Sequence, residues 1–223
     1  MITPRAILFD LDGTLIDSLA DIAEAADVTL AREGFPGHSH DAYRRFIGDG
    51  VASLYRLALP PGRVDEALVA RCVTKHREAY ETSWNVRTEL YDGVSGMLDA
   101  LVDQGVALAV LSNKPDDFTR RCAEFYLSRW PFRVVVGQRE GVPRKPDPAS
   151  AVEIAGRLGF GPGECLFVGD SGVDIQAGLR AGMFPVGVSW GFKAVEELRD
   201  AGAGAIIAHP SELLGLLDGD RPR

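Results

Sequence analysis

The sequence predicts an α/β fold, a parallel sheet with helices on both faces, carrying one inserted all-helical domain. Three observations lead there. Short, β-rich apolar runs alternate with segments of helical period. Several of these runs end in a small residue followed by Asp or Ser. A single long stretch, residues 15–91, contains no run that reads as a strand, and it is far too long for an ordinary connection.

The apolar runs lie at 6–9, 106–111, 132–136, 165–168, 185–189 and, more weakly, 205–207. Runs so uniformly apolar suit strands buried on both faces. Helical patterns fill the intervals at 94–104, 116–125, 148–158, 173–181, 194–201 and 211–217, and the tail 218–223 reads as frayed. In the strandless stretch, Ser18 is placed to cap a helix whose apolar stripe is Leu19, Ile22, Ala23, Ala26 and Leu30, with Gly34 just past its end. Further helices are expected at 41–47, 51–59 and 64–82, with Pro60, Pro61 and Gly62 forming a turn. The domain division is therefore 1–14 with 92–223 for the α/β core and 15–91 for the helical cap.

Composition narrows the function. The 223 residues carry 24 Lys and Arg against 32 Asp and Glu, a net charge of −8, with no basic block to neutralise a run of phosphates. No nucleic-acid partner is expected. No uncharged run reaches the roughly 20 residues of a membrane span, so no membrane partner is expected and the protein reads as cytoplasmic. Cys72, Cys122 and Cys165 are widely spaced and none has a Cys or His at metal-ligand spacing, which fits reduced thiols.

The chemistry-bearing residues follow the apolar runs. After 6–9 come Asp10, Leu11, Asp12, Gly13 and Thr14. Two carboxylates at the end of a buried strand sit where open parallel sheets bind ligands. Gly13 allows the chain to leave extended geometry just after the pair. A polar turn would account for this pair alone; an EF-hand would not, because Gly13 arrives too early. After 106–111 come Ser112, Asn113 and Lys114, a hydroxyl and amide suited to phosphate oxygens or to a helix cap before Pro115. Lys145 lies in Arg144-Lys145-Pro146-Asp147-Pro148, where prolines restrict the backbone. After 165–168 come Gly169, Asp170, Ser171, Gly172, Val173 and Asp174, carboxylates beside a helix start. Each group alone has a structural explanation. As a set they supply a nucleophile, an acid/base, a site for a hard cation and neutralisers of phosphate charge, which are the needs of phosphoryl transfer to a carboxylate.

These four segments, 10–18, 112–114, 145–146 and 169–174, resemble the four motifs of the haloacid dehalogenase superfamily over nearly the whole chain. The resemblance implies a Rossmann-like core with its first strand central and a helical cap after the first motif. It implies that Asp10 is the nucleophile and that Asp12 is the acid/base. Mg²⁺ would be held by Asp10, the Asp12 carbonyl and Asp170, with Asp174 ligating directly or through water. Ser112 and the Asn113 backbone would hold phosphate oxygens, Lys145 would offset negative charge, Gly13 would permit the turn, and Thr14 would steady it by a side-chain bond.

In the cap, Ile47-Gly48-Asp49-Gly50 is similar to the Ile-Gly-X-Gly loop of bacterial phosphoglycolate phosphatases. Gly48, Asp49, Gly50 and Arg45 are thus candidates for substrate specificity, with Arg44, Arg56 and Lys75 as further candidates for a substrate carboxylate. The implied partner is a small phosphorylated metabolite, foremost 2-phosphoglycolate, and the implied state a monomer or homodimer. Asp12 disfavours haloalkanoate dehalogenases and phosphonate hydrolases. Val51, where β-phosphoglucomutases carry Arg, disfavours a mutase, while other phosphatases of the superfamily and pyrophosphatases stay open. From another class, a non-catalytic, phospho-accepting module of receiver type shares the Asp, hydroxyl and Lys but follows a different strand and has no cap.

Overall fold

The computed structural model describes residues 4–217 and separates into two compact units. One is Asp17–Glu89; the other combines the chain on either side of it. The tail 218–223, expected to fray, lies outside the described residues.

The larger unit is built on a six-stranded parallel sheet of β1 (Ala6–Phe9), β4 (Ala107–Pro115), β5 (Phe132–Gln138), β6 (Cys165–Gly169), β7 (Phe184–Val188) and β8 (Ala205–Ile207). Their order is β5-β4-β1-β6-β7-β8. β1 is thus interior, with Phe9 aligned to Val110 of β4 on one side and to Val168 of β6 on the other. Every residue of β1 is fully buried, as its uninterrupted apolar run requires of a strand covered on both faces. Ala6, Leu8, Ala109, Val136 and Phe167 pack with Ile154, Ala155 and Ala177 in one cluster. The last three come from α7 (Ala149–Leu158) and α8 (Gly172–Ala181). Burying side chains such as Leu8 and Phe167 contributes about 2 kcal/mol each. The remaining helices of this unit are α5 (Val94–Asp103), α6 (Asp116–Tyr126), α9 (Val195–Asp200) and α10 (Glu212–Gly215).

The smaller unit holds α1 (Leu19–Arg32), α2 (His40–Phe46), α3 (Val51–Ala58) and α4 (Glu66–Tyr80). Two short strands, β2 (Ile16–Asp17) and β3 (Glu89–Leu90), pair where the chain enters and leaves it. The sequence showed no strand there, because two residues carry no alternation. Ser18 occupies the N-cap position of α1 without a capping bond from its side chain; the Asp17 carboxylate takes the Leu19 N–H instead, at 3.2 Å. α4 starts later than expected, because the Asp65 side chain accepts the Leu68 N–H at 2.9 Å and sets the cap.

Candidate active site

β1 hands the chain into a tight loop at the carboxyl edge of the sheet. The Asp10 N–H still bonds to Val168 O at 2.9 Å, and then the strand ends. The Leu11 carbonyl accepts from the N–H groups of Thr14, Leu15 and Ile16, and Gly13 takes φ +86°. Gly13 also permits close approach, since a Cβ there would lie 2.4 Å from an Asp170 oxygen. The turn leaves Asp10 buried and about a tenth of the Asp12 side chain exposed.

β4 does not stop at 111. It continues in extended form through Ser112, Asn113 and Lys114 to Pro115, with a register irregularity against β5, so these residues are neither a helix cap nor a turn. The Asn113 side chain is tied both ways to the Lys145 backbone: Oδ1 accepts the Lys145 N–H at 3.0 Å and Nδ2 donates to the Lys145 carbonyl at 3.2 Å. That clamp fixes Lys145, whose ammonium donates to Asp10 Oδ1 at 2.8 Å, to Leu111 O at 3.0 Å and to Asp174 Oδ1 at 2.6 Å. Asp174 in turn accepts at Oδ2 from the hydroxyl and N–H of Ser171, at 2.6 and 3.1 Å, closing the first turn of α8. Asp170 accepts the Phe192 N–H at 2.7 Å.

The sequence-predicted residues Asp10, Ser112, Asn113, Lys145, Asp170 and Asp174 thus gather at one rim, all buried. One buried ammonium faces three buried acids there. Burial pushes the Asp10 carboxyl up to about 7; Lys145 opposes this, while Asp174 and Asp12 add to it. Burial and the neighbouring Asp174 and Asp10 charges likewise raise Asp170 well above the carboxylate range. Burial alone would lower Lys145, but Asp10 and Asp174 outweigh it and hold the ammonium charged. Asp10, Asp170 and Asp174 can each place one oxygen within 4.8 Å of the others. An all-oxygen, negatively charged set with surplus charge fits a metal ion, and a hard divalent cation best.

One expectation fails. The Thr14 hydroxyl is buried and has no hydrogen-bond partner among the described residues. The loop is steadied through its backbone instead, where the Thr14 carbonyl accepts the Trp190 indole N–H at 3.0 Å. Trp190, Gly191 and Phe192 follow β7 and were missed by sequence reasoning; their signal was a strand ending at the same rim. Lys114 was read only as part of a motif, yet its ammonium meets both Asp12 oxygens, at 2.8 and 3.0 Å.

The cap candidates lie in the other unit. Arg45 is in the last turn of α2, Gly48 and Gly50 have φ of +136° and +83°, and Gly50 occupies the N-cap position of α3 with Asp49 exposed before it. Arg56 is bound by two bonds to Glu66, and Lys75 pairs with Glu33 at 2.7 Å, so these two are engaged within the cap.

A parallel sheet with two acids after its central strand, and a buried lysine and acid pair at the same edge, defines a class of hydrolase that works through a carboxylate. The chain belongs to the haloacid dehalogenase-like hydrolase family, whose sequence pattern matches residues 7–188. It is 38% identical to a phosphoglycolate phosphatase of Pseudomonas putida, over 85% of this chain and 71% of that protein. It is 32% identical to a phosphoglycolate phosphatase of Yersinia pseudotuberculosis, over 94% and 91%. The crystal structure of a predicted phosphoglycolate phosphatase from Haemophilus somnus superposes with a TM-score of 0.88 at 28% identity, covering 97% of this chain and 99% of that one.

Proposed function

We propose that this enzyme is a Mg²⁺-dependent phosphatase of small phosphomonoesters, acting in the cytoplasm and foremost on 2-phosphoglycolate, which it converts to glycolate and phosphate. The convergence of Asp10, Lys145, Asp170 and Asp174 carries the reaction class. The substrate rests on the names of the relatives and on the loop Ile47-Gly48-Asp49-Gly50. Cys72, Cys122 and Cys165 are buried thiols outside any disulfide, in keeping with a reducing compartment.

In this mechanism an Asp10 oxygen attacks phosphorus, and the ester P–O bond breaks with its electron pair on the leaving oxygen. Asp12 gives that oxygen a proton, releasing the alcohol and leaving an aspartyl-phosphate on Asp10. Asp12 then takes a proton from water as it attacks, and phosphate departs with Asp10 restored. Ser112 and the Asn113 backbone hold phosphate oxygens; Ser112 Oγ accepts the Lys114 N–H at 3.3 Å, leaving its own proton available to donate. Lys145 neutralises charge on the transferring group. Asp10, the Asp12 carbonyl and Asp170, with Asp174 directly or through water, would hold Mg²⁺, which when bound supplies the charge that lets a carboxylate approach a phosphate dianion.

A panel of phosphorylated metabolites tests the substrate. The highest kcat/KM is expected for 2-phosphoglycolate; a clearly higher value for a sugar phosphate or pyrophosphate would replace that assignment. Asp10→Asn is expected to abolish p-nitrophenyl phosphate turnover, and chelation to suppress it in the native enzyme. Retained activity in either case would overturn the reaction class.

A further inference from the structure

We propose that Lys114 is a positioning residue that clamps the Asp12 side chain for its proton transfers; this rests on the reading of Asp12 as the acid/base. The ammonium contacts both carboxylate oxygens of Asp12, at 2.8 and 3.0 Å, across 102 residues of chain, and both side chains are about nine-tenths or more buried. The backbone that carries Lys114 is itself fixed. Its N–H donates to Ser112 Oγ at 3.3 Å, its carbonyl accepts the Thr119 hydroxyl at 3.0 Å, and a Cβ on Gly137 would lie 2.6 Å from that carbonyl oxygen. The cation is therefore delivered from a rigid strand end to a carboxylate on the turn beside Gly13.

A long lysine stem at a sheet rim can reach water. Keeping it buried and ordered sacrifices its rotamer entropy, and apolar residues commonly replace buried ion pairs without loss of stability. Stability alone thus gives little reason for a lysine here, whereas position does. Asp12 must first present a proton to the leaving oxygen, as the P–O bond breaks, and later receive one from the attacking water. A two-point contact fixes the plane of its carboxyl group through both steps, and small misplacements of a proton donor are expensive in rate.

The test separates a clamp on the acid from general damage to the site. Lys114→Met and Lys114→Gln are compared with Asp12→Asn by kcat/KM toward ethyl phosphate, whose alkoxide needs a proton to leave, and 2,4-dinitrophenyl phosphate, whose phenolate does not. Both Lys114 variants are expected to lose on the order of 100-fold with ethyl phosphate and less than about fivefold with the activated ester. In the Asp12→Asn background, Lys114→Met is expected to remove little more, since the two residues act as one unit. Equal losses on both esters, or additive losses in the double variant, would overturn the clamp while leaving Asp12 as acid/base. Should Asp12→Asn itself lose equally on both esters, the acid/base reading falls and the clamp with it.

Discussion

The Lys145 ammonium is held 2.8 Å from the Asp10 carboxylate, both groups buried, with the Asp174 carboxylate closing the triangle at 2.6 Å from the same nitrogen. Removing that ammonium leaves Asp10 and Asp174 without the cation that links them, beside the buried Asp170. Lys145→Met is therefore expected to reduce kcat/KM for phosphate release by roughly 10³-fold, the loss typical of a preorganised charge at the reacting centre. Uncompensated buried charge also weakens the fold, by about 3–5 kcal/mol when one partner is deleted. Thermal melts in chelator should show a clearly lower Tm than the native protein, and Mg²⁺ should restore part of it. A metal-free Tm equal to the native value would show that Lys145 is not what balances these acids.

The same surplus of acids predicts an uncommon pH dependence. Asp10 titrates near 7 in the folded protein against an ordinary value of 3.8, so between these limits the folded state holds a proton that the unfolded chain has released. Stability then falls as pH rises through that window. A surface carboxylate such as Glu153, held below its ordinary 4.5 by Arg139, contributes stability that is fully present well above that value, so it adds no opposing slope at higher pH. Melts in chelator from pH 5.5 to 7.5 should give a declining Tm, and Asp10→Asn should flatten the decline. With saturating Mg²⁺, which binds the ionised acids, stabilisation should instead grow with pH. A metal-free Tm that rises across this range would contradict the assignment.

Close backbone approach around Asp170 gives a third expectation. A Cβ on Gly191 would lie 2.3 Å from the Asp170 Cβ and 2.4 Å from the Gly13 carbonyl oxygen, and the latter cannot swing aside. A Cβ on Gly13 would meet an Asp170 oxygen at 2.4 Å with φ at +86°. Gly191→Ala and Gly13→Ala should each weaken Mg²⁺ binding, measured by calorimetry, by tenfold or more, the loss typical of disturbed ligand orientation. Gly34→Ala is the control: it also has positive φ, +79°, but nothing within 4 Å, and it should lower Tm modestly with Mg²⁺ affinity unchanged. Equal losses of Mg²⁺ affinity in Gly13→Ala and Gly34→Ala would mean that backbone strain, not displacement of Asp170, is responsible.

What could be read in the sequence was whatever local pattern announces. Asp10, Ser112 and Asp170 each follow an apolar run, and parallel strands bring such ends to one edge, so their convergence followed from alternation alone. Contacts made between distant segments gave no such sign. Nothing near Lys114 points to Asp12, and nothing near Phe192 points to Asp170; both partnerships depend on register and loop path. Thr14 misled because a hydroxyl in a tight turn reads as a side-chain donor, whereas Leu11 and Trp190 had already satisfied the loop through its backbone. Asp21 is a further case: its partners lie 65–67 positions away, and nothing beside it in the sequence announces them.

Asp21 supplies the last prediction. Its carboxylate is fully buried and accepts the N–H groups of Val86, Arg87 and Thr88 at 2.9–3.0 Å together with the Thr88 hydroxyl at 2.7 Å. It thereby ties the segment leading to β3 onto α1, inside the cap. Asparagine has the same shape but only one acceptor oxygen, and its NH₂ would face backbone donors. Asp21→Asn should consequently destabilise the cap by about 2–4 kcal/mol, since buried donors lose a charged acceptor. Limited trypsin digestion gives a local readout, because the Arg87 N–H is held by Asp21 while Val86 beside it is exposed. Cleavage after Arg87 should become fast in the variant and stay slow in the native protein, with the Tm lowered in parallel. Unchanged protease resistance at Arg87 would show that this carboxylate does not hold the segment in place.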